Sequence, residues 1–351
     1  MAPVQPTIMD KLTVVPVLMK TRTSSPASSP LLQDSDSPYP SVLTALAQLL
    51  TTPIRTGTKP PSVFKDVFYA ALRTQLGSLN LAQENIVLSD GCKAHWIGAK
   101  KKEKVLVYLH GGGYVLHANA GHCRWLFDLE KTLNERYSLS IVLLDYTTAP
   151  EGQYPRQLNQ TVELVDYLLK GGRTPSDIIL AGDSAGANLV LGLLSHLLHP
   201  HPDVSIRPVL TEPFRGAVLI SPWVKFATDD PSWSRNYHTD FLPRSIASRW
   251  GGAFLGSAPL DNYNQPILAD ESWFHGSERV IREVLVWGGG GEVLIDSIEA
   301  FYEKFKNAHP NTQYVRTPGV CHEDFLIDAF LGYKEKGQGT KVIEEWISAR
   351  L

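Results

Sequence analysis

The sequence predicts an α/β fold with a mostly parallel central sheet and helices on both of its faces. From residue 85 onward, short β-rich runs alternate with longer segments of helical spacing. The short runs are continuously apolar, which is typical of strands buried on both faces of a parallel sheet. Strands that alternate with helices in this way predict an α/β sandwich.

Six runs are predicted to be strands, and the segments between them to be helices. The predicted strands are 105–109, 141–144, 178–180, 217–220, 284–287 and the weaker run 313–316. Helical spacing predicts helices at about 121–136, 155–170, 185–198 and 293–307, and at 324–331. Further helices are predicted at 41–50 and 62–76, after a Ser- and Pro-rich loop or linker at 21–40.

This alternation divides the chain into a core and a cap. The α/β core is predicted to comprise residues 85–222 and 278–351, and residues 1–84 to form an N-terminal segment and part of the cap. The insertion 223–277 has no clear buried strand and is rich in Trp, Phe and Tyr. It predicts a helical lid over a pocket, although ordinary packing between helices would also need such residues.

Composition excludes several functional classes. The 351 residues are 43% hydrophobic and 20% charged with a net charge of −3, as in a globular enzyme with a large core. The chain has no excess of positive charge that would attract nucleic acid or anionic lipid. The three cysteines lack metal-type spacing, and no secretory signal or bilayer-length apolar run is apparent. We therefore expect a cytoplasmic protein without stable membrane insertion; its oligomeric state is left open.

The most informative motif is Gly182-Asp183-Ser184-Ala185-Gly186. A strand-like run enters it and a helix-like run leaves it, which is the context of a G-x-S-x-G nucleophile elbow. The glycines on either side allow the strand and helix backbones to pass closely. The motif predicts Ser184 as the nucleophile of an acyl transfer, and Asp183 as a support of the turn.

A glycine-rich loop, His110-Gly111-Gly112-Gly113-Tyr114, directly follows the first predicted buried strand. Consecutive glycines can turn with positive φ and approach a ligand closely. A loop of this type forms the oxyanion hole of lipases and esterases. The predicted oxyanion donors are the amides of Gly111, Gly112 and Ala185; a glycine-rich surface turn is the alternative without function.

The partner base and acid should follow the serine in the order acid, then histidine. His322 follows the last predicted strand by a short loop, which would place it at the carboxyl edge of the sheet, where Ser184 also emerges. The other histidines after Ser184 lie on helices, in turns or in the insertion; they are His196, His199, His201, His238, His275 and His309. The loop after 284–287 offers Glu292 as the acid, with Asp296 one helical turn later as the alternative.

Together these motifs resemble the hormone-sensitive-lipase-like branch of the α/β-hydrolase superfamily, and its fungal members most. The resemblance covers roughly residues 85–351. The matching segments are 110–114, 145–151 with Tyr154-Pro155, 182–186, 221–223, 292–296 and 322–325. It implies an α/β-hydrolase fold, a triad of Ser184, Glu292 and His322, and oxyanion donors Gly111, Gly112 and Ala185. Family members more often carry aspartate where Glu292 stands, so Asp296 stays open.

The implied function is cleavage of a carboxylic ester, thioester or lactone of a small to medium apolar metabolite through an acyl-enzyme on Ser184. The resemblance to fungal members suggests a tailoring step of secondary metabolism. No metal or cofactor is required by this chemistry, and the expected partner is a small ester. Acyl transfer, a non-hydrolytic cyclase or lyase reaction, and a catalytically silent ligand-binding protein are the alternatives.

Overall fold

A computed structural model of the chain describes residues 84–100, 102–331 and 335–351. The predicted helices at 41–50 and 62–76, the linker at 21–40 and nearly all of the predicted N-terminal part of the cap lie outside the described residues.

An eight-stranded mixed sheet forms the centre of the fold. Its strands are β1 Asn85–Val87, β2 Lys93–Ile97, β3 Lys104–Leu109, β4 Leu139–Asp145, β5 Ile178–Asp183, β6 Gly216–Ile220, β7 Val284–Gly289 and β8 Thr312–Thr317. Their order is β1-β2-β4-β3-β5-β6-β7-β8. β2 is antiparallel to β1 and β4, and all other pairs are parallel. The carboxyl ends of β3 to β8 therefore meet at one edge.

Helices lie between the parallel strands and after the last of them. They are α1 Ala120–Leu133, α2 Arg156–Lys170, α3 Ala185–Leu198, α4 Ser232–Arg235, α5 Arg244–Leu255, α6 Ile295–Ala308, α7 Asp324–Leu331 and α8 Gln338–Ser348. Short 3₁₀ turns lie at Pro175–Asp177, Pro266–Leu268, Glu271–Phe274 and Ser277–Arg279.

The core lies on both faces of the sheet because side chains along each strand alternate in direction. On β3, Val105, Val107 and Leu109 pack into one apolar cluster, and Leu106 and Tyr108 into another on the opposite face. All five are fully buried. Because both faces of β3 are buried, its sequence is a continuous run of apolar residues.

The α/β fold class and the six predicted strands are confirmed, with bounds that differ by a few residues. Two strands and the last helix were not predicted. β1 is three residues long with only its central residue buried, and β2 begins on an exposed lysine. Neither carries the continuous apolar run by which the other strands were found.

The segment 223–277 forms α4, α5 and 3₁₀ turns, with no strand in any of its residues, all of which are described. Several of its aromatic side chains are buried, including Trp223, Trp233 and Phe254. The Phe254 ring stacks on Tyr114, with ring centroids 3.7 Å apart. The segment thus packs against the loop that follows β3.

Candidate active site

Ser184 lies on a sharp turn between β5 and α3. Its φ of 48° is in the left-handed region, which a non-glycine residue adopts only at a cost. Its amide donates to the carbonyl of Ile220 at 2.8 Å, which ties the turn to the end of β6. A Cβ on Gly182 would lie 2.6 Å from the Gly186 carbonyl oxygen, and one on Gly186 would lie 2.7 Å from that of His110. Both glycines are therefore required by close backbone packing.

The loop after β3 lies beside this turn. Gly112 and Gly113 have φ of 96° and 59°, which glycine adopts freely. Among the described residues, no acceptor is found for the amides of Gly112, Gly113 and Ala185. The Gly111 amide, in contrast, donates to Asp183 Oδ2 at 2.9 Å. The N–H of Gly111, one of the three predicted oxyanion donors, is therefore occupied by a carboxylate in this structure.

His322 joins Ser184 to Glu292. Its Nε2 lies 3.0 Å from Ser184 Oγ, and its Nδ1 lies 2.7 Å from Glu292 Oε2. The three residues come from the ends of β5, β7 and β8 and are buried. Because Glu292 accepts the Nδ1 proton, Nε2 is left to accept the proton of the serine hydroxyl.

Glycines after β7 bring the Glu292 loop against the loop that carries His322. The Gly290 amide donates to the Thr317 carbonyl at 2.7 Å, and the Gly291 amide to the Val320 carbonyl at 2.8 Å. A Cβ on Gly291 would lie 3.1 Å from the same Val320 oxygen, a closer approach than side chains usually allow. The two loops therefore pack backbone to backbone, and this places Glu292 beside His322.

Glu292 is held by two donors besides His322. Its Oε1 accepts from Ser221 Oγ at 3.0 Å and from the Gly289 amide at 2.7 Å. Asp296, the alternative acid, instead accepts from the Ser232 amide at 2.8 Å and pairs with Arg235. The structure therefore brings Glu292, and not Asp296, to His322.

Three of the other histidines that follow Ser184 face backbone carbonyl groups outside the site. His196 and His199 face the carbonyls of Ile206 and Trp273, at 2.9 and 2.8 Å. His309 faces the carbonyl of Ile281 at 3.0 Å. None of these contacts involves Ser184.

Carboxyl groups surround His322. Burial lowers the pKa of His322, and nearby carboxyl groups raise it: Glu323 when it is ionised, Glu292 through its hydrogen bond and charge, and Asp240 through its charge. The net result is a pKa above the ordinary value of 6.5. Asp240 is buried nearby. Burial and the charge of Glu292 raise its pKa to about 6, against the opposing effect of His322.

Sequence reasoning missed Asp240 as a support of the site. It lies in the aromatic insertion, and it accepts from the amides of Val293 at 2.6 Å and Phe241 at 2.7 Å. It thereby fixes the backbone directly after Glu292. No local pattern marks this role, because the contact joins residues 53 positions apart.

The aromatic insertion reaches the site at two further points. The Phe241 and His322 ring centroids are 5.9 Å apart, and a Cβ on Gly113 would overlap the Trp250 ring. Aromatic side chains of the insertion therefore lie beside the site residues.

Two general features of the described residues bear on the chemistry. Within 84–100, 102–331 and 335–351, no helix has both the length and the apolar character that crossing a bilayer requires. In the same ranges, no group of three or more His, Cys, Asp or Glu side chains is arranged to hold a metal ion.

Comparison with known proteins identifies the family of this chain. Residues 106–326 match a family model described as the alpha/beta hydrolase fold. The chain is 26% identical over 262 residues to an acetyl-hydrolase of Streptomyces hygroscopicus, covering 73% of this chain and 80% of that one. It is also 26% identical over 247 residues to steryl acetyl hydrolase 1 of Saccharomyces cerevisiae, covering 66% and 55% of the two chains.

Solved structures agree on the fold. The crystal structure of an esterase from the bacterial hormone-sensitive lipase family superposes with a TM-score of 0.65 at 24% identity, covering 90% of this chain and 99% of that one. The resemblance to the hormone-sensitive-lipase-like branch is confirmed by the family match together with a relative from Homo sapiens, hormone-sensitive lipase, which is 34% identical over 170 residues, 47% of this chain and 15% of that one. The matched relatives come from bacteria and mammals as well as fungi. The chain belongs to the α/β-hydrolase family.

Proposed function

We propose that the protein is a carboxylic ester hydrolase that works through an acyl-enzyme on Ser184. The observation that carries this proposal is the continuous hydrogen-bonded path from Ser184 through His322 to Glu292. Relatives named acetyl-hydrolase and esterase support the same reaction class.

In the proposed reaction, His322 takes the Ser184 proton as Ser184 Oγ attacks the acyl carbonyl. His322 then gives that proton to the leaving alcohol, and an acyl-serine remains. Water then loses a proton to His322 and attacks the acyl-serine. As the bond to the acyl carbon breaks and the acid leaves, His322 returns this proton to Ser184 Oγ, which restores the free enzyme. Glu292 keeps the imidazole in the required tautomer and stabilises its cationic form.

The tetrahedral intermediate carries a negative oxygen that needs donors. We assign these to the amides of Gly112 and Ala185, with Gly113 in place of Gly111. Support comes from the amides of Gly112, Gly113 and Ala185, for which the described part of the chain offers no acceptor, and from the hydrogen bond that already engages Gly111 with Asp183. Losing one such donor costs about 3–4 kcal/mol in the transition state.

The proposed substrate is an ester of a small to medium apolar alcohol with a short acyl group. Aromatic residues of the segment 223–277 contact the site residues, which supports a cap role for this segment and an apolar substrate. Relatives named for acetyl groups, one of them a steryl acetyl hydrolase, support a short acyl chain. A tailoring role in fungal secondary metabolism stays a prediction.

The test is labelling with a fluorophosphonate probe followed by peptide mass spectrometry. We expect the wild-type protein to carry one adduct on the peptide containing Ser184, and Ser184→Ala to carry none. Ser195→Ala is the matched control, because Ser195 is a buried serine on α3 whose hydroxyl accepts from Trp273 Nε1 at 3.2 Å and should not react. A folded wild-type protein that does not label would favour the silent ligand-binding protein instead.

Hydrolysis is tested separately on p-nitrophenyl acetate, butyrate and decanoate. We expect turnover with the acetate and butyrate and much less with the decanoate. Adding an alcohol to the assay separates hydrolysis from transfer, since a transferase would form the new ester in preference to the free acid.

A further inference from the structure

Glu323 is a buried carboxyl group in the site that the proposed reaction does not use. It directly follows His322 and has a φ of 51°, a conformation that costs energy for any residue but glycine. Its Oε1 lies 3.5 Å from His322 Nε2, the nitrogen that faces Ser184. The same oxygen is buried and has no hydrogen-bond partner among the described residues.

A second carboxyl group, that of Asp183, lies next to Glu323. Both carboxyl groups border Gly111, since a Cβ on that glycine would lie 2.7 Å from Glu323 Oε1 and would overlap Asp183 Oδ2. The two side chains are within hydrogen-bonding reach of each other. Asp183 is fully buried on the last position of β5. Two carboxyl groups this close in a buried site cannot both be ionised without a large cost.

The contacts of Asp183 indicate which of the two is ionised. Asp183 accepts from Tyr108 Oη at 2.6 Å and from the Gly111 amide at 2.9 Å. A third donor is His122, whose Nε2 lies 3.3 Å from Asp183 Oδ2. The Asn119 amide donates to His122 Nδ1 at 3.1 Å, so the ring proton is on Nε2.

Hydrogen bonds to its carboxylate, from His122 first and then from Glu323 and Tyr108, hold the pKa of Asp183 well below its ordinary range against the effect of burial. Burial, together with the negative charge of Asp183, raises the pKa of Glu323 well above its usual value. The titratable groups that face Glu323 are Tyr108 on β3, Tyr146 after β4, Asp183 on β5, Glu292 after β7 and His322 itself.

We propose that Glu323 is a positioning residue of the site: its neutral carboxyl group shares a proton with Asp183 and packs against His322 Nε2, which keeps that nitrogen free for Ser184. An ionised Glu323 would attract a proton to Nε2 and hold it there, and His322 could then no longer accept the serine proton. This inference rests on the proposed function.

The first experiment requires no reaction. Infrared spectra of the wild-type protein and of Glu323→Gln are subtracted at neutral pH. We expect the difference to contain the carbonyl stretch of a protonated carboxylic acid. Carboxylate bands in its place would overturn the proposal. Because no turnover is involved, this result stands even if Ser184 fails to label, an outcome that would contradict the proposed function alone.

The second experiment measures the rate of fluorophosphonate labelling of Ser184 in Glu323→Leu and Glu323→Gln. Leucine has a similar size but offers neither a donor to Asp183 nor an oxygen to Nε2. We expect leucine to slow labelling about tenfold or more and glutamine to recover most of that loss, as expected for lost hydrogen bonds to charged groups. Equal rates in the two variants would contradict a positioning role and indicate a packing role.

The third experiment follows the labelling rate with pH. Asp183→Asn removes the charge that keeps the proton on Glu323, so Glu323 should ionise and raise the pH midpoint of labelling by about one unit. The double variant Asp183→Asn/Glu323→Gln should return the midpoint to the wild-type value. A midpoint that stays displaced in the double variant would overturn the proposal. If Asp183→Asn does not fold, the infrared spectra and the labelling rates of the Glu323 variants still test whether Glu323 is neutral and positions His322.

Discussion

Ser221 donates its hydroxyl proton to Glu292 Oε1 at 3.0 Å, on the side of the carboxylate that does not face His322. Both oxygens of Glu292 are thereby occupied, one by His322 and the other by Ser221 and the Gly289 amide. A carboxylate with this many donors is fixed in direction. The orientation of the His322 ring is therefore set by the ends of β6 and β7 together.

This arrangement predicts different effects for the two candidate acids. Glu292→Gln keeps the shape of the side chain but lets its amide face His322, which favours the wrong tautomer. We expect kcat to fall about 10³–10⁴-fold with little change in stability. The measurement is steady-state hydrolysis of p-nitrophenyl acetate, with thermal unfolding as the check on folding.

Asp296→Asn is the matched control, since it makes the same chemical change one helical turn away. Its partner Arg235 is half exposed, and exposed ion pairs contribute only about 0–1 kcal/mol. We expect kcat within about threefold of the wild type. A larger loss of kcat in Asp296→Asn than in Glu292→Gln, at equal stability, would reverse the assignment of the acid.

The raised pKa of His322 predicts the pH dependence of the reaction. His322 acts as a base only when neutral, so activity should be lost as the pH falls through its pKa. Because this pKa lies above 6.5, the acidic limb of kcat/KM should have its midpoint above 6.5. Glu292→Gln removes a charge that raises this pKa, so its residual activity should show a lower midpoint. A wild-type midpoint at or below 6.5 would contradict the electrostatic account.

The sequence was sufficient to predict the elements that carry a continuous local pattern. The strand runs, the turn at Ser184 and the position of His322 after the last strand follow from apolar runs, glycines and chain order. The same reasoning located Glu292 but could not separate it from Asp296. That choice depends on which way each carboxyl group points, and Arg235 and Ser232, which bind Asp296, are distant in sequence.

The residues that hold the site in place could not be predicted either, because they too act between distant parts of the chain. Asp240, Glu323 and the Asp183–Gly111 hydrogen bond act through contacts between elements that a linear pattern does not reveal. The expectation for Gly111 followed from the motif alone. Which of three consecutive amides faces the substrate depends on the φ angles of the loop and on the carboxylate beneath it, and neither can be read from the residue types.

Asp240 predicts a pH effect on stability. Its pKa is raised from 3.8 to about 6 in the folded protein. The folded state therefore binds this proton more tightly than the unfolded state, so the stabilisation is present at low pH and lost as the pH rises through 6. Between about pH 4 and about pH 8 the loss amounts to about 2 kcal/mol.

Urea unfolding of the wild type and of Asp240→Asn at both pH values tests this effect. The wild type should lose about 2 kcal/mol of unfolding free energy relative to the variant as the pH rises. Asp229→Asn is the control, because Asp229 is an exposed aspartate in the same segment and its pKa is lowered by Lys225. A pH-independent difference between the wild type and Asp240→Asn would show that Asp240 is ionised throughout.

Two glycine substitutions separate close packing at the site from backbone effects elsewhere. A Cβ on Gly111 would overlap Asp183 Oδ2 and lie 2.7 Å from Glu323 Oε1. We expect Gly111→Ala to destabilise the protein by about 1–3 kcal/mol and to slow labelling of Ser184, because the added methyl group separates the two carboxyls and displaces the loop.

Gly252 is exposed within α5, and a Cβ there would meet open space. Gly252→Ala should stabilise the protein by about 0.4–1 kcal/mol and leave labelling as in the wild type. Thermal unfolding and labelling rates of both variants are compared with the wild type. If Gly111→Ala keeps the stability and the labelling rate of the wild type, Asp183, Gly111 and Glu323 are not packed as tightly as the structure requires, and the account of the proton shared beneath the loop fails with it.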